Sequence, residues 1–204
     1  MTPFGGASLG LLVLYLAAFF AGSALAAKAA GRSVWLFGHA SGSDAHAAFG
    51  FRLAFGLAIL GPLLLTLAPG IAALDPIWSP HGLLDGALGH FIAMAGAMLA
   101  FAAQMAMGAS WRVGVAQDAV GALVTGGLYD LSRNPVFLGQ LVLLAGVSLA
   151  IPSLAGVIAV GLFWASASAQ IHSEEQILAQ TLGQPYRHYL ATVPRWIGNR
   201  KVTA

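Results

Sequence analysis

The chain contains no cysteine, which excludes disulfides, thiolate metal sites and cysteine nucleophiles. It is also poor in charge. Asp, Glu, Lys and Arg make up 8% of its 204 residues, against roughly 25% in soluble domains. A water-facing surface cannot be built from so few charges, so the bilayer must form part of the solvent. The excess of two positive charges is too small to signal a nucleic-acid partner. The N-terminus lacks a basic segment before its first apolar run, and that run is long enough to span, so no cleavable signal peptide is expected. What the chain has in abundance is apolar surface, at 58% of residues. Its length suits one all-α polytopic membrane domain over residues 1–204.

A crossing helix needs about 20 mostly apolar residues. Five segments meet or approach this: Ser8 to Ala27, Leu53 to Ile71, Leu88 to Gly108, Val136 to Ile151 and Ser153 to Ile171. The second contains Gly61-Pro62, which predicts a kink. The last two are split by Ile151-Pro152-Ser153, with Pro152 suited to the first turn of the fifth helix. So short a turn forces an antiparallel hairpin. With five crossings, all nine Lys and Arg residues fall on one side. The positive-inside rule makes that side cytosolic and puts the N-terminus outside, in a cell's inner (cytoplasmic) membrane. After the fifth crossing, Ser173 to Leu182 reads as a separate amphipathic helix, at the membrane surface or folded back onto the hairpin, capped by Ser173 and stopped by Gly183.

Polar chemistry gathers at the two feet of the hairpin. The first foot runs from Thr125-Gly126-Gly127 through Tyr129 to Arg133-Asn134-Pro135-Val136-Phe137-Leu138-Gly139. The second holds Glu174-Glu175, Leu182-Gly183-Gln184-Pro185-Tyr186, Tyr189 and Val193-Pro194-Arg195. Residues 140–173 between them carry no Asp, Glu, Lys or Arg. Pro135 suits the first position of the fourth helix and drives Asn134 out of helical conformation. That helix start would offer free N–H groups to an anion such as a carboxylate. Arg133 can grip a carboxylate through two parallel hydrogen bonds. Glu174 and Glu175 can bind hydroxyls, an amine or a cation, or lock Arg133 or Arg195. Each feature also has an ordinary reading. Arg133 suits a positive-inside anchor, the glutamates suit a helix start, and Tyr186, Tyr189 and Trp196 suit interfacial anchors.

The ordered set resembles the isoprenylcysteine carboxyl methyltransferase family and its relatives among membrane phospholipid methyltransferases. The residues that carry the likeness are Leu123-Val124-Thr125, Gly127, Tyr129, Arg133-Asn134-Pro135, Phe137, Gly139, Glu174-Glu175, Leu178, Leu182-Gly183, Tyr186, Tyr189 and Pro194. Trp111-Arg112-Val113-Gly114 resembles a segment of bacterial members. The likeness spans about residues 110 to 196, the motif region that follows three crossings in residues 1–109. It implies an integral-membrane enzyme that uses S-adenosyl-L-methionine. By position, the implied cofactor contacts are Leu123, Val124, Tyr129, Asn134, Pro135, Val136 and Phe137, with Tyr186 and Tyr189. The implied reacting-centre residues are Glu174, Glu175 and Arg133. Substrate contacts are expected at Gln104, Arg112 and Gln170. The implied partner is a lipophilic small molecule or membrane lipid, methylated on a carboxylate, amine, thiol or head-group atom.

Three departures from the family pattern are visible. Asn134 stands where a His is usual and cannot become cationic. Phe137 stands where a Tyr is frequent. No Arg precedes Glu174, since Gln170-Ile171-His172-Ser173 fill that stretch, which turns the expectation away from a prenylcysteine carboxylate. A non-catalytic membrane assembly or maturation partner on the same scaffold is the alternative. Elsewhere, His90 and Gln104 share a face of the third helix and suit interhelical hydrogen bonds. Met94, Met98 and Met105 suit packing. His39, Asp44 and His46 sit in a stretch read as a solvated loop, with a metal site as the minor alternative.

Overall fold

In the computed structural model, residues 4–36, 42–78, 82–114 and 121–198 are described. In chain order the helices are α1 (Phe4–Ala30), α2 (Gly42–Leu67), the single turn α3 (Pro69–Ala72), α4 (Leu83–Met107), the single turn α5 (Leu128–Leu131), α6 (Pro135–Ala150), α7 (Leu154–Thr181) and α8 (Gln184–Thr192). A 3-10 turn, Gly108–Ser110, closes α4. Four helices (α1, α2, α4 and α7) are long and apolar enough to cross a bilayer. The fourth predicted crossing, α6, is apolar but has 16 residues, or about 24 Å, against a hydrocarbon core of about 30 Å.

The helices close a ring, α1–α2–α7–α6–α4 and back to α1. The tightest seam joins α4 to α6, and glycine makes it possible. A Cβ on Gly96 would strike the backbone of Leu143, and one on Gly139 would strike that of Ala100; Gly89 meets Ala150 and Gly146 meets Ala93 in the same way. These pairings run in opposite directions, so α4 and α6 are antiparallel. Small residues at such a seam gain the close van der Waals contact that drives helix association in lipid. Across the ring, α2 runs antiparallel to α7, with Gly50 against Ser166 and Gly61 against Ser153. The interior between these helices is filled by Leu12, Leu143, Leu144, Phe163 and Ile171, all at most 1% exposed.

Polar residues inside the spans bond between helices, as expected. His90 Nε2 lies 3.0 Å from Ser8 Oγ. Gln104 Nε2 donates to Phe19 O at 2.9 Å and to Ser23 Oγ at 3.0 Å. Both pairs link α4 to a parallel α1.

Several expectations need correction. The separate surface helix at Ser173–Leu182 does not exist. Residues 154–181 form one helix, because no Gly or Pro interrupts it between Leu162 and Thr181. Ser173 caps nothing; its hydroxyl donates to Asp44. Helix α2 starts at Gly42, not Leu53, so Asp44, His46 and Arg52 are helical. Hydropathy marks where the apolar face begins, whereas backbone hydrogen bonding continues through polar residues. His39 lies outside the described residues, as do Arg200 and Lys201. Of the methionine stripe, Met94 and Met98 face outward, whereas the partly exposed Met105 packs against Gly22 of α1.

Candidate active site

The α6 start forms as the sequence dictates. Pro135 occupies the first turn, and Asn134 takes the non-helical φ −131°, ψ 53°. Gly127 adopts φ 63°, a left-handed conformation that Gly reaches without Cβ strain, and opens the short helix that carries Tyr129. Gly183, at φ 61°, breaks the chain direction between α7 and α8 as expected.

Backbone and side-chain bonds then staple the two feet together. Arg133 N donates to Pro194 O at 2.9 Å. Ser132 Oγ and Asn134 Nδ2 both donate to Arg195 O, at 3.2 and 3.0 Å. Asn134 thus spends its amide donor on the opposite foot, a bond that needs no cationic side chain. Tyr189 donates its hydroxyl to Tyr129 O at 2.6 Å, and Tyr129 donates to Ala103 O at 3.2 Å.

Charges are arranged in two groups. Arg112 Nη2 donates to Glu174 Oε1 at 2.6 Å, with both side chains mostly buried. Glu175 holds two cations: Arg133 at 2.8 Å through Oε1, and Arg195 through Oε2. Arg133 also donates to Leu190 O and Val193 O at 2.7 and 2.6 Å. Of the two expected roles for these glutamates, Glu175 takes the locking one. Glu174 keeps one oxygen for Arg112 and turns the carboxylate toward the cavity.

These residues surround one cavity of about 550 Å³. Its polar end is lined by Arg112, Leu123, Val124, Tyr129, Arg133, Asn134, Pro135, Val136, Phe137, Gln170, Glu174, Glu175, Tyr186 and Tyr189. Every site residue expected from the sequence is therefore gathered here except Gln104, which is 1% exposed in the α1–α4 seam. Tyr186 and Tyr189 are buried walls, not interfacial anchors. Burial pushes the phenols of Tyr129 and Tyr186 above their ordinary value, with Glu174 adding to the effect, and burial does the same to Tyr189. They remain neutral hydrogen-bonding groups at physiological pH. Hydrogen bonding to Glu175 raises Arg195 further.

The cavity continues between α1 and α2 as an apolar arm lined by Leu16, Phe19, Phe51, Phe55 and Ile59. Phe51 stacks on Phe137 at 5.6 Å between ring centroids, joining the arm to the α6 start. This arm was not identified from sequence, although Ala48, Phe51, Phe55 and Ile59 stand at helical spacing on α2. Above it, the α1–α2 loop is pinned to the segment after α4: Leu36 N donates to Val113 O at 2.8 Å, and Val113 N to Val34 O at 2.7 Å.

Three buried polar atoms at the polar end have no hydrogen-bond partner: Gln170 Oε1, Arg112 Nε and Arg133 Nε. Such atoms are costly unless a ligand or water meets them. The cavity volume falls within the range of small-molecule sites, about 300–1,000 Å³. The arrangement offers an anion the α6 start, a cation or hydroxyl the Glu174 carboxylate, and an apolar chain the arm between α1 and α2.

Fold and site together define a multi-pass membrane protein with one amphipathic cavity at the basic end of its helices. A family model described as phospholipid methyltransferase matches residues 84–185, half of the chain. The chain belongs to this family of membrane methyltransferases. A solved structure of a eukaryotic intramembrane Ras methyltransferase, isoprenylcysteine carboxyl methyltransferase, is similar at 18% identity and a TM-score of 0.60. The match covers 98% of this chain and 71% of that one. At this identity the likeness speaks for the fold. No curated protein matches the chain.

Proposed function

We propose that the protein transfers a methyl group from S-adenosyl-L-methionine to a nucleophilic atom on an amphipathic acceptor that enters the same cavity from the bilayer. One observation carries this reading: a single cavity joins a polar end, rich in paired charges and buried tyrosines, to an apolar arm between two membrane helices.

The polar end suits the cofactor. Leu123, Val124, Tyr186 and Tyr189 supply apolar and aromatic surface for an adenine ring. The free N–H groups of Val136 and Phe137 at the α6 start suit a carboxylate. Glu174 and the unpartnered Gln170 Oε1 suit hydroxyls or an ammonium. When bound, S-adenosyl-L-methionine supplies a methyl carbon on a sulfonium; the carbon–sulfur bond breaks as the acceptor–carbon bond forms, leaving a thioether. The protein's share is placement and exclusion of water. Arg133, locked by Glu175 and two carbonyls, fixes the wall on which both feet meet. Glu174, oriented by Arg112, lines the polar end of the cavity. For an amine, hydroxyl or thiol acceptor it is the group to receive the proton released on methylation. A carboxylate or thiolate acceptor needs no base.

The C-terminal ends of α1, α4 and α7 and the start of α6 lie on one side, with Lys28, Arg112, Arg133 and Arg187 at or just beyond them, which supports a cytosolic site, where the cofactor is available, and five crossings with α6 as a short fourth span. The test is incubation of the purified protein with methyl-labelled cofactor and a total membrane lipid extract. Label in an extractable lipid supports the reading. No label in any lipid, together with a protein partner that co-purifies stably, would favour a non-catalytic assembly role.

A further inference from the structure

Gln140 of α6 is a polar side chain set in the apolar arm. It lines the cavity, and its Nε2 donates to the hydroxyl of Tyr15 on α1 at 2.8 Å. Tyr15 precedes Leu16 and stacks on Phe55, at 6.3 Å between ring centroids, and both of those residues line the arm. Along α6, Gln140 follows Val136 and Phe137 at helical spacing on the cavity face and stands five positions beyond Pro135. Five positions correspond to about 7.5 Å along a helix, so Gln140 lies that far inward of the α6 start. Gln140 is 7% exposed and Tyr15 4%. A polar side chain at membrane depth is costly and marks a contact between helices or a ligand. Gln104 shows the first case: both of its bonds run to α1, and its Oε1 is sealed in the seam. Gln140 differs. Among the described residues its Oε1 accepts from no protein group, and that atom is not sealed. One N–H ties α6 to α1, and the amide oxygen is left for the cavity.

An alkyl chain lying across that oxygen strips its water and offers no donor in return, which is unfavourable. A hydroxyl carried at the same level donates to it and adds no charge at membrane depth. We infer that Gln140 is a specificity-determining residue, which selects an acceptor whose chain carries a hydroxyl at the Gln140 level of the arm. Tyr15 is its positioning residue: the shared hydrogen bond and the stack on Phe55 hold the amide in one orientation. The inference rests on the methyl-transfer reading for the word acceptor, but the binding it describes is measurable without turnover.

The probes are dodecanol, a set of dodecanediols whose second hydroxyl moves carbon by carbon along the chain, and the hydroxyketone that matches the tightest diol. They are added to the intact protein in neutral maltoside micelles. Binding is followed through the fluorescence of Trp35 and Trp111, which line the cavity. Each affinity is compared with that of Q140M for the same probe, so that partition into the micelle cancels. The wild type is expected to favour one hydroxyl position, bound about tenfold more tightly than by Q140M, the scale of one buried hydrogen bond. Dodecanol and the hydroxyketone should show no such gain. Y15F should still favour the hydroxyl but spread the preference over neighbouring positions, because the amide is no longer held. A flat series in the wild type, a favoured position that persists in Q140M, or a hydroxyketone bound as tightly as its diol would overturn the assignment and leave Gln140 as a tie between α1 and α6. Should Q140M not fold, Q140N keeps the amide on a shorter stem and is expected to weaken or move the favoured position; an unchanged optimum there overturns the assignment. Titration with S-adenosylhomocysteine separates the two readings. If the wild type fails to bind it, the methyl-transfer reading fails while the favoured hydroxyl position stands. If Q140M loses that binding by about tenfold and the wild type shows no favoured hydroxyl position, Gln140 belongs to the cofactor and the assignment is wrong.

Discussion

Glu175→Gln is the substitution whose cost follows most directly from the geometry. The Glu175 side chain is 13% exposed and that of Arg133 is 11% exposed. Removing one partner of a buried pair costs about 3–5 kcal/mol, because the other charge is left bare. Two features reduce this figure. The Gln amide oxygen still accepts one hydrogen bond, and Arg133 keeps its bonds to Leu190 O and Val193 O. The expected loss is therefore about 2–3 kcal/mol. Arg195, at 39% exposed, is largely solvated, so Arg195→Gln is expected to cost about 1 kcal/mol or less. Because both arginines act through one carboxylate, the double variant should match Glu175→Gln within about 0.5 kcal/mol. The assay is reversible unfolding in mixed micelles of rising dodecyl sulfate fraction, followed by tryptophan fluorescence. Equal losses for the two single variants, or a Glu175→Gln loss below about 0.5 kcal/mol, would refute the view that Glu175 joins the feet through Arg133.

Four further outcomes are expected. Gly96→Ala should cost about 1–3 kcal/mol in the same assay, since its Cβ meets the Leu143 backbone, while Gly10→Ala, with open space around it, should be neutral or stabilising. Asn134→Ala should lose about 1 kcal/mol with its bond to Arg195 O, and Asn134→His should not gain activity. Glu174→Gln, which leaves Arg112 an acceptor, should fold normally and slow methylation of an amine, hydroxyl or thiol acceptor by about 100-fold or more, read as label transfer under saturating cofactor. In alkaline titration the three site tyrosines should stay protonated beyond the ordinary midpoint of 10.0. The unfolded chain releases those protons first, so stability should fall as pH rises above that midpoint, monitored by tyrosinate absorbance and unfolding together.

The polar end was legible in the sequence because its chemistry is local. Pro135 sets a helix start, Asn134 is forced out of it, and Gly127 and Gly183 sit at turns, so the two feet could be marked by number. The Ile151-Pro152-Ser153 turn then brought those feet side by side. Gln104 was drawn toward the site because a polar residue near a helix end suggests a pathway, but its partners, Phe19 and Ser23, lie on α1 and are fixed only by tertiary packing. The same holds for Arg112. Nothing in Trp111-Arg112 names Glu174 as its partner across 62 positions. Arg52 lies just outside the second crossing as hydropathy bounds it, Leu53 to Ile71. Backbone hydrogen bonding starts it at Gly42, and that shift carries Arg52 into the cavity wall. The apolar arm was hidden for a different reason: in a chain this hydrophobic, cavity-facing and lipid-facing residues share one composition.

Methyl transfer by this protein requires that its polar cavity end bind the cofactor. Calorimetric titration of the purified protein with S-adenosylhomocysteine, in neutral micelles, tests this with no need to know the acceptor. Saturable one-to-one binding, weakened in a Tyr186→Ala variant and unaffected by Gly10→Ala, is the expected result. Absence of binding at millimolar ligand by a folded wild-type sample would contradict it.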